Sequence, residues 1–385
     1  MEENWGHVIM NTDLFNPEIV EQMPSKILPD NVAKIAVIGV GGGGCNMVNH
    51  MIQEGIYKVD LIVANTDLQT LRVSKAPKKI QLGIELTKGL GAGMKPEIGR
   101  DSAIESYEEI KKSLEGSDIV FVAAGLGGGT GTGAAAIVAK AAKEVGALTV
   151  SVVTKPFKWE GKKRTGLANL GLEELRKVSD SIIVIKNDRL KEIGDADLAF
   201  KDAFKIVDNI LYQAVNGMTE VILKPGKNDI NADFADIKTI MQHRGMALMG
   251  IGKAKGDDSA KKALENAIQS PLLDEVSLSG AKGIMIHWTF SPNVGLHSIG
   301  DVMEHISDVV DENAEIIFGT TTDETLAADE VKITIIATGF ETTQEEQIKP
   351  QEENTQTHSQ FLSKDNSNYY DTPPLMRGYS IKYIL

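Results

Sequence analysis

At 385 residues, with 42% hydrophobic and 5% aromatic residues, the chain is long enough for two packed domains, and a formal charge of −14 speaks against affinity for nucleic acid built on a basic surface. Its single cysteine, Cys45, excludes an intrachain disulfide framework and suits a reducing compartment. No run approaches the roughly 18 apolar residues of a membrane span, and "MEENWGHVIMNTDLF" has neither region of a secretory signal, so the expectation is a soluble, cytoplasmic protein.

Residues 1–31 show no sustained apolar period and stand apart as an N-terminal arm. From Val32 the pattern changes. "VAKIAVIGV" reads as a buried strand, "GGGG" as a loop and "CNMVNHMIQEG" as a helix closed by Gly55. A second strand, "VDLIVAN", runs into Thr66 and Asp67, and a further glycine-rich loop follows at "KGLGAGMKPEIG". "SDIVFVAAG" is the next strand, "GLGGGTGTG" its loop and "AAAIVAKAAKEVG" its helix, while "ALTVSVVTKPF" and "SDSIIVIKND" supply two more strands. Strands alternating with helices predict an α/β fold, a mostly parallel, Rossmann-like sheet covered on both faces. Ligands of such sheets sit at the carboxyl ends of the strands, where the glycine loops fall.

Residues 202–223 have helical apolar spacing over about six turns and predict a long central helix leaving the first domain. Beyond it, "GMALMGIGKAKG", "GAKGIMIHWTF", "AEIIFG" and "EVKITIIATGF" read as strands and "DSAKKALENAIQS" and "LHSIGDVMEHISDVV" as helices, a smaller α+β domain. After Phe340 the chain turns polar and acidic, predicting a disordered linker over 341–368. Apolar residues return in "YYDTPPLMRGYSIKYIL", 369–385, which reads as a docking peptide on a tether, with a frayed terminus as the plain alternative.

A strand entering a helix through glycines aims several backbone N–H groups, and the helix's partial positive charge, at one spot that suits phosphate. Gly39, Gly41 and Gly44 satisfy G-x-G-x-x-G, and Asp67 follows about 20 residues on, so an NAD-dependent oxidoreductase is one reading. That reading leaves "GGGTGTG" at 127–133 unexplained. It is a second cradle, with Thr130 and Thr132 as added hydroxyl donors, and two cradles suit a longer phosphate chain. The mononucleotide loop G-x-x-x-x-G-K-[ST] is missing, since "EGKKR" has neither its spacing nor its hydroxyl.

"GGGTGTG" resembles the signature of the tubulin superfamily, and "GVGGGGCNMVNHM", "NTDLQTL", "KGLGAGMKPEIGR", "KPFKWEGKKR" and "NADFADIKTIM" resemble, in order, the motifs of the FtsZ family of bacterial cell-division GTPases. The likeness covers roughly 32–340, and "DTPPLMR" is similar to that family's C-terminal peptide. It implies GTP or GDP as the nucleotide, with Mg²⁺ held mainly by the phosphates. Gly41, Gly42, Gly43 and Asn46 would line the first phosphate loop, and Gly91, Ala92 and Gly93 the γ-phosphate loop. Gly125, Gly127, Gly128, Gly129, Thr130, Gly131, Thr132 and Gly133 would form the second cradle, with Asp67 nearby. Glu160 and Arg164 would hold ribose and phosphates, where residues alone suggest a surface ion pair. Asn187 would lie near the base. Phe204 and Asp208, four apart on the central helix, would stack on the purine and accept guanine's N1–H and amino group; the plain alternative is a core ring beside a solvated carboxylate.

In "NADFADIKTIM", Asn231 or Asp233 reads by itself as a helix cap, with acidic residues of the first turn complementing the helix dipole. The resemblance gives Asn231, Asp233 and Asp236 a catalytic task, with the two aspartates polarising the water that attacks GTP on the neighbouring subunit. It further implies a head-to-tail homopolymer in the division ring at mid-cell, with 32–200 as GTP-binding domain, 201–224 as central helix and 225–340 as assembly domain. Membrane-anchoring and regulatory division proteins would bind 369–385. A tubulin-like filament for DNA segregation or cell shape is the alternative within the superfamily. Ala136 departs from the family's usual proline and is expected to loosen a helix start slightly, and "KPGKNDINADFAD" is longer than usual. Cys45, at a helix start, is weighed as a reactive thiol against a small buried filler, and the filler is favoured.

Overall fold

Strands of nearly unbroken Val, Ile and Ala form the middle of one ten-stranded sheet in the computed structural model, which describes residues 33–56, 58–189, 200–223, 230, 234–243, 245–270 and 278–340. β1 (Ile35–Val40), β2 (Val59–Asn65), β3 (Lys78–Gln81), β4 (Ile119–Gly125), β5 (Leu148–Lys155) and β6 (Ser181–Lys186) run parallel in the spatial order β3-β2-β1-β4-β5-β6. Strands covered on both faces have no wet side with which to alternate. Along β1, Ile35 and Val37 enter one core and Ala36, Ile38 and Val40 the other.

Between the strands lie α1 (Gly41–Glu54), α2 (Leu68–Val73), α3 (Ile84–Thr87), α4 (Pro96–Glu105), α5 (Tyr107–Leu114), α6 (Thr130–Glu144) and α7 (Lys162–Val178). Met47, Val48 and Met51 of α1 cover one face, and α5, α6 and α7 the other, through residues such as Ile110, Val138 and Leu175. The predicted central helix is α8 (Phe200–Leu223), 24 residues long. At 1.5 Å per residue it runs about 36 Å. Val207, Leu211, Ala214 and Met218 bury one side of it in the α1 core.

The remaining elements are α9 (Phe234–Met241), β7 (Gly245–Lys255), α10 (Ser259–Ile268), β8 (Gly283–Phe290), α11 (Leu296–Val309), β9 (Glu315–Thr322) and β10 (Glu330–Phe340). β7 and β8 flank β10 antiparallel, and β9 joins β8 in parallel. Trp288, fully buried, centres a third core under α10 and α11.

The four predicted strands of this half are all present, but they continue the first sheet instead of standing apart. β6 pairs with β7 in parallel over Ser181↔Gly245, Ile182↔Met246 and Ile183↔Ala247. Two further expectations are corrected. "GGGG" is the first turn of α1 rather than a loop, with Gly41 and Gly43 packed against the neighbouring turn, and α6 likewise begins at Thr130, inside the second glycine run. Residues 68–114, read only as a glycine loop, also hold β3 and α2–α5. The predicted arm 1–31, linker 341–368 and peptide 369–385 lie outside the described residues.

Candidate nucleotide site

Val40 ends β1 in extended conformation, and the chain turns directly into α1 with Gly41 at φ +71, a left-handed value that favours glycine. The first N–H groups of a helix have no acceptor within it, so the exposed Gly42 and Gly43 offer theirs outward. One strand over, β4 enters α6 through Gly125–Gly129 in the same way. The two turns touch through backbone. A Cβ on Gly41 would stand 2.7 Å from the Gly131 nitrogen, and one on Gly43 would stand 3.1 Å from the Gly125 Cα.

A third segment, 89–95, closes the cradle. A Cβ on Gly129 would meet that of Ala92 at 2.8 Å, and Gly91 donates its N–H to the Thr66 carbonyl at 3.2 Å. By contrast, Gly42, Gly93 and Gly128 have no atom within 4 Å of where a Cβ would be, so these three border open space. Backbone donors from two helix starts, converging where no side chain intrudes, suit a phosphate chain.

At the carboxyl end of β6, Asn187 is 5% exposed and its Oδ1 has no partner. Arg164, in the first turn of α7, pairs with Glu160, which also accepts the Phe157 N–H at 2.9 Å; the Arg164 Nε is buried and unpartnered. Native proteins leave few such atoms, and here two fall on residues expected to hold the nucleotide. Phe204 lies edge-on to Phe157 at 5.9 Å, and Phe157 stacks on Trp159 at 5.2 Å. Phe204 keeps 39% of its surface exposed, enough to receive a base. One turn along α8, burial pushes the Asp208 carboxyl up to about 6, opposed by the charge of His50. A desolvated carboxylate fits a purine edge that carries two donors.

Other expected residues have local work. Asp67 caps α2, its carboxylate taking the Gln69 N–H and the Thr70 hydroxyl, each at 2.8 Å, so both oxygens are engaged within the protein; this weighs against a dinucleotide ribose there. Thr132 is buried and its hydroxyl oxygen accepts the Gly127 N–H at 2.8 Å, bracing the cradle from inside. Thr130 bonds the Thr66 hydroxyl at 2.7 Å. Gly133 packs on α4, where a Cβ would strike the Pro96 carbonyl, and Asn46 lies exposed one turn beyond Gly42. Ala136 sits in the second turn of α6, which begins at Thr130. Cys45 is fully buried and burial raises its thiol to about 12, as befits a filler.

Asp236 is half-buried in the first turn of α9. The carboxyl end of α9 is tied by a 2.6 Å bond from the Ser181 hydroxyl to the Met241 carbonyl, at the start of β6, whereas Asn187 follows its end. Asn231 and Asp233 lie outside the described residues, but their neighbour Ile230 is bonded in both directions to Thr320 of β9. Sequence reasoning missed Thr66, Phe157, Trp159 and His50. The aromatic spacing of "KPFKW" was the available signal for two of them.

Residues 34–195 match the family model described as Tubulin/FtsZ family, GTPase domain, and residues 245–341 that described as FtsZ family, C-terminal domain. Among solved structures, an empty FtsZ dimer from M. jannaschii is 44% identical, with a TM-score of 0.75 over 84% of this chain and 92% of that one. A point mutant of FtsZ from M. jannaschii is also 44% identical, with a TM-score of 0.74 over 84% of this chain and 96% of that one. CetZ2 from Haloferax volcanii, in a GTPgS-bound protofilament, shares the fold at 18% identity, with a TM-score of 0.68 over 81% of this chain and 94% of that one. The two domain matches, and 44% identity across most of the chain, establish that this protein belongs to the FtsZ family and carries a Tubulin/FtsZ GTPase domain.

Proposed function

We propose that the chain binds and hydrolyses GTP, assembles head to tail with copies of itself, and builds the filament of the cell-division ring. The observation that carries this reading is the separation of two half-sites. The cradle and Asn187 lie at the carboxyl ends of the parallel strands, whereas α9, which bears Asp236, is held at the amino end of β6. Between them α8 runs about 36 Å. A carboxylate so placed serves another subunit's nucleotide, and a contact that joins opposite ends of one molecule repeats without closing. The match to a FtsZ dimer supports self-association.

In this reading the glycine turns hold the phosphates, Glu160 and Arg164 the ribose and phosphates, and Asn187, Phe204 and Asp208 the guanine. Asp236, with Asn231 and Asp233, polarises the attacking water across the subunit contact. Mg²⁺ would take its ligands mainly from the phosphates. When bound it offsets the charge on the transferred phosphoryl group. Residues 32–200 are then the GTP-binding domain and 225–340 the assembly domain. Residues 369–385 dock membrane-anchoring and regulatory division proteins, and the filament works in the cytoplasm at mid-cell. No helix among the described residues is long and apolar enough to cross a membrane.

The test is GTP turnover per subunit, with magnesium, over rising protein concentration. A rate near zero below a threshold and steep above it is expected. A rate independent of concentration would mean that each chain hydrolyses alone, and the shared site would be wrong.

A further inference from the structure

Helix α9 has eight residues, too few to hold a place by itself, since isolated helices shorter than about 12–15 residues are marginal in water. Its apolar face, Ile237, Ile240 and Met241, is buried in the α1 core. The last four carbonyls of a helix have no partner within it, and in α9 every one of them is taken. The Gln242 N–H serves Lys238 and Thr239, at 3.0 and 3.3 Å, and the His243 N–H serves Ile240 at 3.3 Å. Side chains from two strands complete the set. The Thr338 hydroxyl of β10 donates to the Ile240 carbonyl at 2.8 Å, and the Ser181 hydroxyl of β6 to that of Met241 at 2.6 Å. Both hydroxyls belong to buried residues of largely apolar strands, where a polar group costs stability unless it is bonded. One clamp thus comes from each side of the β6–β7 junction. Just beyond the helix, the His243 ring packs on the backbone of Gly283, and its Nε2 meets the Glu315 carboxylate of β9 at 3.1 Å.

We propose that Ser181 and Thr338 are positioning residues of the shared GTPase site, which hold α9 at its carboxyl end and so set where Asp236, in its first turn, stands against the neighbouring subunit's nucleotide. The inference rests on the reading that Asp236 acts across the subunit contact. Asp236 precedes Met241 by five residues, about 7.5 Å along the helix axis. With one clamp gone, α9 can tilt about the other, and at that distance a small tilt moves the carboxylate by about 1 Å, enough to cost up to about 100-fold in a reaction controlled by geometry. The same strand also reaches the chain's own nucleotide site. β6 begins at Ser181 and ends beside Asn187, so six residues, about 20 Å of strand, separate the clamp from the pocket above it.

The test compares Ser181→Ala, Thr338→Val and Thr338→Ser in the full chain. Thr338→Val keeps the shape and removes the donor, whereas Thr338→Ser keeps the donor. Ser181→Ala and Thr338→Val are expected to bind GTP within about twofold of the unaltered chain but to turn it over about tenfold more slowly per subunit, well above the assembly threshold, with Thr338→Ser restoring the rate. Mixing gives a readout that a general loss of stability would not move. An excess of Gly42→Ala, whose cradle is impaired but whose Asp236 is intact, should raise turnover per Thr338→Val subunit several-fold, and an excess of Asp236→Ala should not. Full turnover by both hydroxyl-free variants would overturn the inference. So would the absence of any gain from Gly42→Ala while Gly42→Ala and Asp236→Ala complement each other. The underlying reading fails separately: if those two do not complement each other, Asp236 does not act in trans, whatever the hydroxyl variants do. A variant that does not fold shows it by losing GTP affinity, and the other then carries the test.

Discussion

The Thr66 and Thr130 hydroxyls stand 2.7 Å apart, tying the end of β2 to the first turn of α6 across the strand that lies between β2 and β4. The Thr66 carbonyl accepts Gly91, so one residue fixes the second cradle and the third glycine segment together. Thr66→Val should cost about 1 kcal/mol of stability and weaken GTP several-fold, with Thr66→Ser restoring both. Thermal unfolding and nucleotide titration read the two effects.

Glycines of the cradle should divide into two kinds. A Cβ at Gly131 would stand 2.5 Å from the Gly125 carbonyl oxygen, so Gly131→Ala must push two turns apart and is expected to lower stability by about 1–3 kcal/mol along with binding. At Gly42 or Gly128 a Cβ meets nothing. Gly42→Ala and Gly128→Ala should therefore unfold at the same temperature as the unaltered chain yet bind GTP more weakly, because the methyl occupies the space of the phosphate. Equal affinity in both would place the phosphates elsewhere.

Asp208 predicts opposite trends for stability and binding. Its carboxyl is raised from an ordinary value of 3.8 to about 6, so the folded chain holds that proton more tightly than the unfolded one. Stability from this group falls as pH rises between those values. Asp208→Asn removes the buried charge and should raise the unfolding temperature at pH 7.5 while lowering GTP affinity. Differential scanning calorimetry at pH 5 and 7.5 checks the sign: the gain should shrink at the lower pH.

The Glu160–Arg164 pair separates a surface ion pair from a ligand contact. Arg164 is 40% exposed along its side chain, so Arg164→Ala should change stability by under about 1 kcal/mol. Its buried, unpartnered Nε nevertheless points to a missing acceptor, and loss of a charged hydrogen bond to ribose or phosphate should weaken nucleotide about tenfold. An affinity unchanged in Arg164→Ala would return the pair to the surface.

Asp236→Ala should leave GTP binding intact and abolish turnover, since Asp236 lies far along the chain's fold from its own cradle. Mixing it with Gly42→Ala should restore part of the turnover, because each variant supplies the half the other lacks. Turnover by Asp236→Ala at the full rate would remove this carboxylate from the mechanism.

Much of this was legible because burial on both faces writes itself as unbroken apolar sequence. Ile35–Val40, Ile119–Gly125 and Leu148–Lys155 could hardly be anything but inner strands. Gly55 announced the end of α1, and takes the left-handed conformation with its N–H on Met51. β3 was not legible: "KKIQ" is four residues with one buried apolar side chain, and only pairing with β2 makes it a strand. The glycines of α1 read as a loop because no local pattern shows the neighbouring turn against which Gly41 and Gly43 pack. Nor could local pattern show that Ser181–Ile183 would meet Gly245–Ala247 across more than sixty residues of intervening chain. At the site, glycine spacing revealed the cradle, whereas the inward hydroxyl of Thr132 and the approach of His50 to α8 depend on packing between helices.

The junction of β6 with β7 comprises three residue pairs, against seven between β4 and β5. Viewed as a beam, the sheet has a neck. Besides those few rungs, the flank of α8, the Glu220–Lys332 ion pair that pins α8 to β10, the Ser181–Met241 bond and a shared core join the two halves. The same long helix that carries Phe204 and Asp208 runs beside the neck as its stiffening rod.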